Sequence, residues 1–139
     1  MLDLAMGPKL MVCHDLKGNY RDDRFPQGVR SPVEVPYTVE AWECIDTLVY
    51  FGHDLVTLPP PGWTDAAHRH GVRVLGTIIT EGPSGPRDCA RLFGAEAAKA
   101  ADRLAAVAAY YGFDGYVETR RSLPCTVCCT VCCSVGCTV

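Results

Sequence analysis

This sequence opens without an export signal or a membrane-crossing helix. Its first residues, MLDLAMGPKLMV, carry one lysine and only short apolar runs. It also lacks a basic surplus. The formal net charge is −3 and charged residues make up 21% of the chain, which argues against a nucleic-acid binder, a class that carries a basic face. No glycine-rich nucleotide fingerprint follows the first apolar run, so a dinucleotide site is not indicated. Asparagine is almost missing, with Asn19 the only one in the chain. With no export signal the expected compartment is the cytosol, where thiols stay reduced. In that setting Cys13, Cys44 and Cys89, each in apolar surroundings, read as small buried hydrophobes.

What is present fits one domain: 139 residues are enough for a single hydrophobic core. The run Leu10 to Cys13 reads as a short buried strand that feeds a polar loop from His14 to Arg24. Pro26, Pro32 and Pro36 exclude a regular helix or central strand from the connection that follows. Val39, Trp42 and Ile45 recur every three residues, which predicts a short helix from Val39 to about Thr47. Leu48 to Leu58 reads as a strand rich in β-branched and aromatic residues, interrupted at Gly52-His53-Asp54.

Pro59-Pro60-Pro61-Gly62 is a hard stop. Thr64 then caps a predicted helix from Asp65 to His70, which Gly71 ends. VRVLGTIIT, Val72 to Thr80, is the strongest strand signal, nearly continuous in apolar residues as in a parallel strand buried on both faces. After a turn from Glu81 to Pro86, a helical region from Arg87 to Tyr111 is predicted to break near Gly94. Its second half carries an apolar stripe, including Ala97, Ala101, Leu104 and Ala108, suited to packing on a sheet. Gly112 caps it, and Phe113-Asp114-Gly115-Tyr116-Val117 opens another strand.

The order predicts an α/β fold of three parallel β-α units and the start of a fourth strand. A complete (β/α)8 barrel needs eight units and about 250 residues. His14-Asp15, His53-Asp54 and Glu81 fall at or near the carboxyl ends of successive strands, the face that carries the active site in a barrel. His14, Asp15, His53 and Glu81 are therefore the substrate-binding candidates. His68 and His70 stand two apart on a helix, face different directions and read as surface or capping residues, not as a metal pair.

Beyond Pro124 the character changes. CTVCCTVCCSVGCTV holds six of the nine cysteines and no charge. Cys125-x-x-Cys128 and Cys129-x-x-Cys132 have the spacing of zinc ligands, but the segment has no histidine and almost no polar group to support a metal. The CTVC unit repeats with a period of four, as codon repeats read out of frame or through an intron would. The expectation is no metal and no cofactor, with disulfide-linked aggregation on oxidation. Residues 1–9 read as a leader, 10–117 as the folded part and 118–139 as a divergent tail.

Three strings carry a family likeness: HDLKGNYRDDRF (His14 to Phe25), PPPGWTDAAHRHGVRVLGTIITE (Pro59 to Glu81) and FDGY (Phe113 to Tyr116). In this order and spacing they resemble the cytosolic endo-β-N-acetylglucosaminidases of glycoside hydrolase family 85, from about Leu10 to Tyr116. The resemblance implies a (β/α)8 TIM-type catalytic barrel, of which this chain would be an incomplete piece. It implies cytosolic hydrolysis of the bond between the two N-acetylglucosamines in the core of N-linked glycans and free oligosaccharides, with no nucleic-acid or membrane partner.

The chemistry it implies is substrate-assisted. The sugar's own 2-acetamido oxygen attacks the anomeric carbon, an asparagine orients that group, and a glutamic acid protonates the leaving oxygen. Both side chains sit in an Asn-x-Glu arrangement on the fourth strand, two apart and so on one face. Carried onto this chain, those positions hold Thr119 and Arg121. Threonine has no amide, and arginine does not lose its proton. Glu118 is three residues early and in a regular strand points the other way. Gly82 stands where the family commonly has a tryptophan. The expectation is therefore a truncated, non-catalytic product with at most a glycan-binding or interfering role, or an ending produced by mis-splicing.

Overall fold

The computed structural model describes residues 9–15 and 39–119. Five strands and three α-helices alternate in it: β1 Met11–Asp15, β2 Thr47–Phe51, β3 Val56–Thr57, α1 Pro61–Arg69, β4 Arg73–Ile79, α2 Gly85–Phe93, α3 Ala97–Tyr111 and β5 Gly115–Thr119. β1, β2, β4 and β5 run parallel and lie side by side in chain order. That sequential order, with no reversal, is what successive β-α units produce when each crossover steps in the same direction.

β4 is the best-determined strand, and the reason is local. Its seven residues are β-branched or apolar apart from Arg73 and Gly76, and Val74 and Thr77 are fully buried. The expected strand from Leu48 to Leu58 is instead two segments. β2 pairs with Arg73 to Leu75, and the chain then turns at Gly52-His53-Asp54. It returns as β3, antiparallel, against Thr77 and Ile78. The interruption foreseen at Gly52 is real, but the reversal depends on pairing with a distant strand. Thr77 holds the turn's base: Gly52 N–H donates to Thr77 Oγ1 at 3.1 Å, and that hydroxyl lies 3.4 Å from Gly52 O. Gly76 is required by the same crossing, since a Cβ there would stand 2.4 Å from the Thr57 carbonyl oxygen.

The predicted helix from Val39 to Thr47 is only a 3₁₀ turn at Trp42–Cys44. Its bonds span three residues, Cys44 N–H to Ala41 O and Ile45 N–H to Trp42 O. The spacing of three that indicated a helix matches this tighter turn, which Ile45 leaves in extended conformation to feed β2. α1 begins at Pro61, four residues before the expected start, because proline is favoured in the first helical turn. Thr64 is consequently inside the helix and its hydroxyl bonds back to Pro60 O at 3.4 Å. α2 likewise starts at Gly85, inside the predicted turn. The break at Gly94 and the left-handed Gly71 and Gly112 at helix ends are as the sequence indicates.

The strand register divides the sheet into two faces. Val12, Leu48 and Val74 form one row and, with Ala67 of α1, Val72 and the flanking Trp42 and Trp63, make the first core cluster. Ile78 shares that face and packs on Cys89 and Phe93 of α2, with Leu104 of α3 and Tyr116 alongside. The helices thus cover the face of Val74 and Ile78. The opposite face carries Cys13, Val49, Leu75, Thr77, Val117 and Thr119.

β1 is a sheet edge among the described residues, and its alternating exposure corrects the expectation of a buried first strand. Cys13 and Cys44 are exposed for related reasons, Cys13 on the helix-free face of that edge strand and Cys44 on the surface turn before β2. Only Cys89 of these three is the buried hydrophobe expected. Residues 16–38 and 120–139, with their prolines, Asn19, Arg121 and the cysteine repeats, lie outside the described residues, as does most of the predicted leader.

Candidate functional site

Parallel strands put all their carboxyl ends on one rim. Here that rim collects Asp15 from β1, Phe51 and the Gly52–Asp54 turn from β2, Thr80 and Glu81 after β4, and Thr119 at the end of β5. Asp15 and His53 meet, with Oδ1 and Nε2 3.3 Å apart. Both side chains are about half exposed. The imidazole donates to the carboxylate when its proton is on Nε2, leaving Nδ1 as an acceptor. Phe51 holds the ring edge-on from below, with centroids 5.4 Å apart.

Asp15 faces the helix-free side, in register with Phe51, whereas His14 is in register with Tyr50 on the helix side. His14 lies 4.9 Å, edge to face, from Trp63 of α1, and Tyr50 meets the same indole at 5.5 Å. The four candidates are therefore not one constellation. Asp15 and His53 form a pair, His14 supports the start of α1 behind the sheet, and half-buried Glu81 stands two residues beyond β4. Among the described residues, no cluster of histidine, cysteine and acidic groups is suited to hold a metal ion.

The end of β5 is the other half of the rim. Thr119 is in register with Ile79 and so faces the helix-free side, while Glu118 is in register with Ile78 and faces the helices. The Thr119 hydroxyl is buried with no hydrogen-bond partner among the described residues, and the same holds for Thr80, whose N–H donates to Thr119 O at 3.3 Å. A threonine hydroxyl there offers one donor and two lone pairs, but no titratable group for proton transfer near neutral pH.

At the opposite rim the structure holds a contact that sequence reading missed. Asp114 Oδ2 accepts from Val74 N–H at 2.7 Å and lies 2.8 Å from His68 Nε2, and Asp114 N–H donates to Val74 O at 2.8 Å. His68 is thus a tie between α1 and the start of β5, not an idle surface residue. His70 lies flat on Trp42, rings 5.3 Å apart and nearly parallel. Partners 46 residues apart leave no periodic signal, though the aspartate after Phe113 and a histidine in the last turn of α1 are both visible as polar residues in apolar strings.

Comparison with known proteins agrees with the strings singled out above. The family model of glycosyl hydrolase family 85 matches residues 19–122. A cytosolic endo-beta-N-acetylglucosaminidase from Homo sapiens is 51% identical over 113 residues, 79% of this chain and 15% of the human protein. Cytosolic endo-beta-N-acetylglucosaminidase 1 from Arabidopsis thaliana is 50% identical over 116 residues, covering 82% of this chain and 17% of the plant protein. The chain therefore spans only 15 to 17% of the length of these relatives. Among solved structures, a chitinase from Bacteroides thetaiotaomicron superposes with a TM-score of 0.52 at 14% identity, over 81% of this chain and 35% of that one. That likeness bears on the fold alone, an α/β arrangement around a parallel sheet.

Proposed function

This chain belongs to glycosyl hydrolase family 85, and from that membership we propose that it is a non-catalytic segment of a cytosolic endo-β-N-acetylglucosaminidase barrel. Its four sequential parallel strands are the first half of an eight-stranded (β/α)8 ring, spanning residues 10–117 and running on to Thr119. Relatives named cytosolic endo-beta-N-acetylglucosaminidase supply the activity and compartment of the complete enzyme. In that enzyme the substrate is the di-N-acetylglucosamine core of an N-linked glycan or free oligosaccharide.

One observation carries the non-catalytic reading: the register of β5. It sets Thr119 on the helix-free face at the active rim and turns Glu118, the nearest carboxylate on that strand, toward the helices. Without an amide there to hold the acetamido group or an acid to protonate the leaving oxygen, the end of β5 retains on that face only the hydrogen-bonding hydroxyl of Thr119. Asp15 and His53 are the pair that would contact a sugar hydroxyl. Purified chain incubated with a high-mannose glycoprotein is expected to release no oligosaccharide. Turnover above a mock preparation, detected by mass spectrometry of freed glycans, would overturn the proposal.

A further inference from the structure

We infer that α2 and α3 form a binding site for a small monocarboxylate with an unbranched apolar tail, the chemistry of a medium-chain fatty acid. The site is a cavity of about 270 Å³ between Leu55, which leads into β3, and residues of the two helices. That volume lies just under the lower end of ligand pockets, about 300 Å³, so the occupant is a small molecule and not a partner helix. None of Asp15, His53, Glu81 and Thr119 lines it, so it is not the rim that would meet a glycan.

The tail is selected by the apolar part of the lining. Ala100 and Leu104 stand four apart on one face of α3, and Leu92 of α2 and Leu55 complete the apolar surface. Leu92 and Leu104 border the core cluster of Ile78, Cys89 and Phe93, yet each keeps part of its own surface uncovered. Leu55 is 37% exposed. An alkyl chain laid on these side chains removes its surface and theirs from water together.

The charges select the head group. Asp88 lies between Arg87 and Arg91, at 3.6 and 3.8 Å, and Glu96 lies 3.1 Å from Lys99. Both carboxylates of the lining are therefore already matched by cations. Lys99 and Arg103 stand four apart on α3, a like-charge pair that opposes the helix. Arg103 makes no ion pair among the described residues, and the lining holds three cations against two anions. A carboxylate between Lys99 and Arg103 balances that surplus, and the guanidinium offers it two parallel donors. Both cations are exposed, so the head stays near water while the tail is covered. The site stands on the two helices alone and is independent of what the rim does.

The test is a titration of the full chain with octanoate, under reducing conditions and below its micelle concentration, followed by amide NMR. Saturable shifts are expected at Leu55, Leu92, Ala100 and Leu104. Butanoate, with its shorter tail, should bind roughly tenfold or more weakly, since each buried methylene strengthens binding about fourfold. Arg103→Gln, a change at an exposed position, should leave the fold intact and weaken octanoate roughly tenfold. Octylammonium has the same tail and the opposite charge, and should not saturate the site. The inference is overturned by no shift with octanoate, by equal affinity for octylammonium, or by unchanged affinity in Arg103→Gln. Shifts that fail to saturate and spread to exposed Leu10 and Met11 would also overturn it, as indiscriminate coating of apolar surface.

Discussion

Asp114 offers a quantitative check on how the lower rim is held. Replacing it by alanine removes both contacts of Oδ2 at once, to Val74 N–H at 2.7 Å and to His68 at 2.8 Å. The two losses differ in size. Val74 is fully buried as a residue, and a backbone donor left unsatisfied costs about 1–3 kcal/mol. The His68 contact joins side chains 41% and 34% exposed, where solvent screening leaves about 0–1 kcal/mol. Asp114→Ala should therefore destabilise by about 1.5–3.5 kcal/mol and His68→Ala by less than about 1 kcal/mol. Asp114→Asn keeps an oxygen for Val74 and should fall between them. With a urea dependence of about 1–3 kcal/mol per molar, the alanine variant loses roughly 1 M in midpoint. Tryptophan fluorescence follows the transition, since Trp63 and Trp42 both border the first core cluster. Protein concentration is held fixed, because association shifts apparent stability. Equal losses for Asp114→Ala and His68→Ala would refute the reasoning, by showing that the Val74 bond contributes nothing.

Two titrations probe other points. Burial pushes the Tyr116 phenol up to about 12 from its ordinary 10.0. The folded state thus favours the protonated form, so this contribution to stability is whole below pH 10 and is lost as pH rises toward 12. Absorbance at alkaline pH should show one tyrosine ionising after the others, and Tyr116→Phe should remove that late step; an unchanged curve would contradict the assignment. Cys13 is exposed as a residue, yet partial desolvation of its sulfur, with the Asp15 carboxylate adding like charge, pushes its thiol up. Alkylation followed peptide by peptide at mildly alkaline pH should label Cys13 more slowly than exposed Cys44, and Asp15→Asn should quicken it. Cys89, buried, should react only on unfolding.

What could be read from the sequence was what neighbours in the chain determine. The apolar run of β4, the break at Gly94 and the left-handed glycines at positions 71 and 112 all follow from local sterics and burial, and all are present. What could not be read was set by distant partners. The reversal into β3 is made by pairing with β4, and the exposure of Cys13 by β1 lying at an edge. The carboxyl-end rule put Asp15 and His53 near one rim but could not tell that they touch or that His14 turns the other way. His68 showed no sign of its bond to Asp114, because a contact across 46 residues leaves no period.

The hydroxyl of Thr77 closes the base of the turn that carries His53 by bonding to both backbone groups of Gly52. Beyond that stitch the excursion is short: Leu55 already returns to β4, its carbonyl accepting from Ile79 N–H at 3.0 Å, so it is His53 and Asp54 that stand out from the pairing. Residues can be inserted or exchanged there without re-registering either strand. The part of the rim that carries His53 is thereby kept out of the strand pairing, and so is open to variation that leaves the sheet unchanged.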